Sequence, residues 1–304
     1  MKKIVKTIIF LICALILVGC KKNDNKSLLI VTSNFPSYDF TRAIIKDSNI
    51  SVQMLLKPGS EIHDFEPTPQ DIIKIEDSSI FIYTGGESDS WVQGILKEKI
   101  KTKVIKLIDL VETYEEEITE GMDEIEEEKE IDEHVWTSPL NAIKIVSSIK
   151  EEIIKLDPQN KQLYEKNAEN YISELTKVDK EIKDIVSSSK RKEVIFGDRF
   201  PLRYFTQEYG LTYYAAFKGC SESTEASAKT LTFLINKVKE DKIPVVFKIE
   251  LSNGKIAESI ARETGVKILE FHSAHNISKS DFENGITYID IMINNIKVLR
   301  EALN

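Results

Sequence analysis

Residues 159 to 189 contain neither glycine nor proline, and that stretch constrains the fold more than any other in the chain. Apolar residues recur within it at Leu163, Ala168, Ile172, Leu175, Val178, Ile182 and Ile185, a helical spacing. At 1.5 Å per residue an unbroken helix here extends roughly 45 Å, about the height of two stacked lobes. The residues that would most readily interrupt it are absent. The stretch therefore predicts one rigid helix joining two bodies.

On either side of it, short β-branched and aromatic runs alternate with amphipathic helical stretches. Strands are expected at 28–32, 51–56, 80–84 and 103–107 before the helix, and at 193–196, 211–216, 245–249 and 266–271 after it. Such alternation implies parallel sheets covered by helices. The expected fold class is α/β, with two lobes, each a four-stranded and mainly parallel sheet flanked by helices, joined by one long α-helix. The N-terminal lobe spans 28–158, the linking helix 159–189 and the C-terminal lobe 190–304. With 304 residues and 41% apolar composition, the chain can bury a core of that size.

The first twenty residues follow a different logic. Lys2, Lys3 and Lys6 precede an apolar run from Ile8 to Val18, then Gly19 and Cys20. Eleven apolar residues suit a signal-peptide core and fall short of the roughly 20 that span a bilayer. The sequence Leu17-Val18-Gly19-Cys20 resembles a bacterial lipobox, so Cys20 is the expected lipidation site, with 21–27 as a polar tether. That places the mature chain on the extracytoplasmic face of a cell membrane, held by lipid. Its formal charge, −9 overall, becomes −12 without the three leader lysines. Nucleic acid is excluded as a partner, because binding it needs a basic face. Only Cys220 survives maturation, so no intramolecular disulfide is possible.

Residues 112 to 133 carry thirteen acids and one lysine and read as a solvated loop. Just beyond it the chain places one of its four histidines, His134. His63 follows the strand at 51–56 and precedes Thr68-Pro69-Gln70-Asp71, a helix start with an N-cap, a proline at the first position and an acid at the third. His134 precedes a similar start at Ser138-Pro139, and His272 and His275 directly follow the strand at 266–271. All four thus map beyond the carboxyl ends of strands, where open parallel sheets bind ligands. Imidazole is the commonest protein ligand of divalent transition metals, so this shared placement points to a metal site between the lobes.

The segments "PGSEIHDFEPTPQD", "HVWTSPLNA", "RYFTQEYGL", "EASAKTLTFLINKVKE" and "GKIAESIARETGVKI" resemble the metal-binding solute-receptor lipoproteins of bacterial zinc and manganese ABC importers. The resemblance covers nearly the whole mature chain and implies two α/β lobes on a rigid helix, with metal in the cleft. It puts His63 and His134 on the first two ligand positions and His272 on the last, with His275 as the alternate. At the third position it puts Arg199, whose guanidinium has no lone pair to offer. Asp198 is the substitute expected there, with Glu222 or water as alternatives.

Function follows from this set: a monomeric receptor, not an enzyme, that captures Zn2+, with Mn2+ as the second choice, and delivers it to an ABC transporter permease. Other readings of the same fold are a manganese receptor, an iron-chelate receptor that uses Arg199 and its aromatic neighbours, and a surface adhesin.

Overall fold

A computed structural model of the chain describes residues 28–60, 65–96, 101–122, 130–219, 221 and 225–304. Cys20, His63, Cys220 and Glu222 lie outside these residues. Strands β1 (Leu29–Thr32), β2 (Ser51–Met54), β3 (Ile80–Tyr83) and β4 (Lys103–Lys106) form one sheet in the order β2-β1-β3-β4. Strands β5 (Glu193–Phe200), β6 (Thr212–Lys218), β7 (Val245–Lys248) and β8 (Lys267–Glu270) form the second, in the order β6-β5-β7-β8. Every strand pair in both sheets is parallel. Each of the eight expected strand runs is a strand, and the two sheets share one topology although no sequence repeat relates them.

Helices α1 (Phe35–Ile44), α2 (Pro69–Asp77), α3 (Val92–Leu96) and α4 (Pro139–Leu156) accompany the first sheet. The linking helix α5 (Lys161–Ser188) follows a single 3-10 turn at Pro158–Asn160 and reaches about 42 Å at 1.5 Å per residue. Helices α6 (Arg203–Tyr209), α7 (Ala228–Glu240), α8 (Lys255–Thr264), α9 (Lys279–Glu283) and α10 (Tyr288–Leu303) accompany the second sheet. The helix starts read from sequence are formed as expected. Thr68 makes a reciprocal capping box with Asp71, and the Ser138 side chain accepts from the Asn141 amide.

One continuous buried cluster joins the halves. It runs from Ile30 and Ile82 of the first sheet through Leu175 and Ile182 of α5 to Phe196 and Phe247 of the second. Smaller clusters fill the outer faces, around Val31 and Phe81 on one side and Ile195 and Val246 on the other. Because α5 packs on α1, α4 and α10, both lobes share its apolar face. Opening them widely would expose that face to water, at about 25 cal/mol for each Å².

Strand order reverses between β1 and β3 in the first sheet and between β5 and β7 in the second. These are the two switch points at which a doubly wound sheet opens a crevice. The segments leaving them carry Ser88 and Asp89 on one side and Glu250 and Leu251 on the other, with Arg199 at the end of β5.

Candidate metal centre in the cleft

His134 enters the cleft at the end of the acidic segment, just before α4. Its backbone N–H donates to Asp132 Oδ1 at 2.8 Å and its Nδ1 to the same oxygen at 2.9 Å. A carboxylate can only accept, so Nδ1 carries the proton and the Nε2 lone pair is left for the cleft. Asp132 is itself fixed, since Tyr204 of α6 donates its hydroxyl to the Asp132 carbonyl at 2.7 Å. Burial opposes a charge on the imidazole, yet the Asp132 carboxylate, helped by Glu133 and Glu116, holds its pKa above the ordinary 6.5. Space for the ring depends on Gly219, where an added Cβ would lie 3.2 Å from His134 Cε1 and 3.1 Å from the Phe200 carbonyl.

The second lobe supplies His275. Glu250, leaving β7, accepts from the Ser273 amide at 2.7 Å, the Ser273 hydroxyl at 2.5 Å and the His275 amide at 3.3 Å. Ala274 adopts φ 63°, an uncommon conformation for a residue other than glycine, and this swings His275 back toward the first lobe. The two imidazoles then meet edge to face, with centroids 5.0 Å apart at 89°. Trp136 packs on both rings, at 4.9 Å from His275 and 5.5 Å from His134, while its Nε1 donates to the Ser273 carbonyl at 2.9 Å.

Between them lies Glu133, fully buried. Its Oε1 accepts from Ser88 Oγ at 2.5 Å and stands 3.7 Å from His275 Nε2, and its Oε2 accepts from the Ser88 amide at 3.0 Å. Burial, reinforced by the Asp89 carboxylate nearby, pushes its pKa up to about 7 against the pull of His134 and Ser88. Donor atoms of Glu133, His134 and His275 all fall within 4.8 Å of one another. Among the described residues this is the group able to hold a metal ion.

The expected ligands are thus partly brought together. His134 is in the group, His275, the alternate, is in it too, and His272 is not. His272 Nδ1 accepts from the Ala274 amide at 2.9 Å, and its backbone is tied to the Asn295 side chain at 2.9 and 2.8 Å. These bonds tie the His272 backbone to α10, and its Nδ1 lies 3.6 Å from Glu250 Oε2. Asp198 is also apart from the group. β5 continues past the expected end at 196 through a register shift between Phe196 and Arg199, and Asp198 sits within that bulge. Its oxygens accept from the Arg199 amide at 2.9 Å and the Ile249 amide at 3.3 Å, bracing the exits of β5 and β7. His63 and Glu222 lie outside the described residues.

Flanking the histidines is a cavity of about 30 Å³, lined by His134, His275, Arg199, Glu250 and Ser60 among others. That is room for about one water-sized particle. Asn276, next to His275, reaches across to the loop that precedes His63, donating to the Lys57 carbonyl at 3.0 Å and the Ser60 carbonyl at 2.6 Å. The Gly59 amide returns a bond to the Ile277 carbonyl at 2.7 Å.

The described ends of the acidic segment are more engaged than the solvated loop expected. Glu115 and Ile131 form an antiparallel bridge, Glu116 pairs with Lys218 at 3.4 Å and Glu117 with Arg203. Asp132 and Glu133 at its end are buried. Charge density alone hid them, whereas their position directly before His134 was the available signal.

Two parallel α/β lobes on a shared rigid helix, with nitrogen and carboxylate donors gathered in the cleft, define a two-lobed substrate-binding protein. Residues 30–302 match the family model described as zinc-uptake complex component A, periplasmic (ZnuA), and the chain belongs to that family. It is 34% identical to the high-affinity zinc uptake system protein ZnuA of Bacillus subtilis, over 96% of this chain and 95% of that one. Against the zinc-binding lipoprotein AdcA of Streptococcus pneumoniae it is 33% identical over 99% of its own length but only 61% of AdcA. The Zn(II)-bound ZnuA-like domain of that AdcA superposes with a TM-score of 0.76 at 31% identity, covering 91% of this chain and 99% of the domain.

Proposed function

We propose that this protein is an extracytoplasmic receptor that captures Zn2+ in the interlobe cleft and hands it to an ABC permease. The observation that carries this reading is the convergence of His134 and His275 from different lobes onto a buried carboxylate, in a chain of the zinc-uptake family. His63 is the third imidazole of the site, on a loop whose base is gripped by Asn276. The work is reversible coordination, with no bond of the cargo made or broken.

Imidazole-rich donors favour zinc over manganese, which prefers more oxygen. A cavity of about 30 Å³ beside the histidines suits a bare ion. Family membership and the zinc-binding relatives support the permease partner. Lipid attachment at Cys20 completes the assignment and rests on the leader sequence.

Equilibrium dialysis of metal-free 21–304 against equal zinc and manganese, with a ferric chelate in a parallel arm, tests the reading. One zinc retained per chain with manganese excluded is expected. Preference for manganese or uptake of the chelate would overturn it.

A further inference from the structure

The resemblance puts Arg199 at the third ligand position, and a guanidinium cannot coordinate, so the implied set is one short in this chain. Four of the described carboxylates around the cleft are engaged elsewhere. Asp198 braces two strand exits from within its bulge. Asp132 is spent on the His134 amide and Nδ1. Glu250 carries the Ser273 amide and hydroxyl and the His275 amide. Asp89 accepts from Ser33, Thr84 and Gly85. Only Glu133, among the described residues, has a carboxylate oxygen grouped with the donor nitrogens of both histidines.

We propose that Glu133 is the oxygen ligand of the cargo metal, in place of the donor lost at Arg199. The proposal rests on the zinc-receptor reading and adds a ligand to it. Its geometry suits the role: Glu133 Oε1 and His275 Nε2 are 3.7 Å apart. Donors of a tetrahedral zinc bound at about 2.0–2.1 Å stand about 3.3 Å from each other. Ser88 holds the carboxylate through both its amide and its hydroxyl, as an outer partner orients a ligand. The backbone is shaped around it, since a Cβ on Gly86 would fall inside the Glu133 side chain. Among the described residues the set is His134, His275 and Glu133, two imidazoles and one carboxylate.

The test measures zinc affinity of 21–304 by competition with a chromophoric chelator, in the parent, Glu133→Gln, Glu133→Asp, Glu222→Gln and the double variant Glu133→Gln/Arg199→His. Glu133→Gln is expected to weaken zinc about a hundredfold or more. Glu133→Asp, which keeps the charge but withdraws it by one methylene, loses zinc too and decides the matter if the Gln variant does not fold. Adding histidine at Arg199 restores most of the affinity and replaces one carboxylate oxygen by one imidazole in the zinc X-ray absorption spectrum, whereas with a merely structural Glu133 the parent spectrum has no carboxylate oxygen to replace. Parent-like affinity in both folded Glu133 variants, or loss of the oxygen ligand in Glu222→Gln instead, would overturn the proposal. If the parent itself holds no zinc, the receptor reading has failed; if parent and Glu133→Gln hold it equally, that reading stands and Glu133 is not a ligand.

Discussion

At His134 a single carboxylate does three things. Asp132 fixes the backbone, selects the tautomer and raises the proton affinity of the ring through one oxygen. Protons and zinc compete for the same imidazole, and here the proton competes from above the ordinary 6.5 downward. Zinc affinity should therefore fall as pH drops through a midpoint higher than that of a free histidine. Asp132→Asn removes the charge, so the midpoint moves to lower pH while affinity at neutral pH drops about 10–100-fold. A pH series of zinc titrations on both proteins checks this, and an unchanged midpoint would show that Asp132 does not set the titration. That His275 and not His272 joins the group with His134 and Glu133 could not be read from sequence, because it depends on the left-handed turn at Ala274, and alanine gives no sign of a positive φ.

At the scale of elements, the site is built where loops from the two lobes clasp each other. Asn276 and Ile277, directly after His275, bond to the 57–60 loop, so the loop leading to His63 takes its position from the opposite lobe. Asn276→Ala leaves two carbonyls without their donor, at a cost of about 1–3 kcal/mol. The expected result is zinc binding weakened by about tenfold through faster release, since the His63 loop loses its anchor. Stopped-flow chelation of the zinc-loaded variant measures that rate directly, and a parent-like rate would mean the clasp is not needed. Strands and helices themselves were legible from periodicity and caps, with ends shifted by one or two residues at most positions. The exception is β5, whose bulge at Asp198 moves the one carboxylate that sequence had assigned to the metal.

Across the whole molecule, three bodies meet at Asp39. Its Oδ2 accepts from the Tyr171 hydroxyl of α5 at 2.6 Å and from the Tyr288 amide of α10 at 3.0 Å, and Arg42 of its own helix pairs with Oδ1 at 2.6 Å. Tyr288 then donates to the Trp136 carbonyl at 2.6 Å, and Trp136 packs on both histidines. Burial holds Asp39 above the ordinary carboxylate range despite these partners, so the joint has a cost that its connections offset. Asp39→Asn should lower stability by about 2 kcal/mol in chemical unfolding and weaken zinc through the displaced Trp136. With that joint and the shared core intact, solution scattering of the metal-free and zinc-loaded parent should differ little, in contrast to a wide hinge. A large change in radius of gyration would contradict the rigid account. The two-lobe plan was readable from the helix at 159–189, whereas this knot joins residues far apart in sequence and carries no local pattern.

Calorimetric titration of zinc into metal-free 21–304, beside His134→Ala, His275→Ala and His272→Ala, tests the central claim most directly. The account predicts one tight site in the parent, its loss in the first two variants and its retention in His272→Ala. Tight zinc surviving without both His134 and His275, or lost with His272 alone, would contradict it.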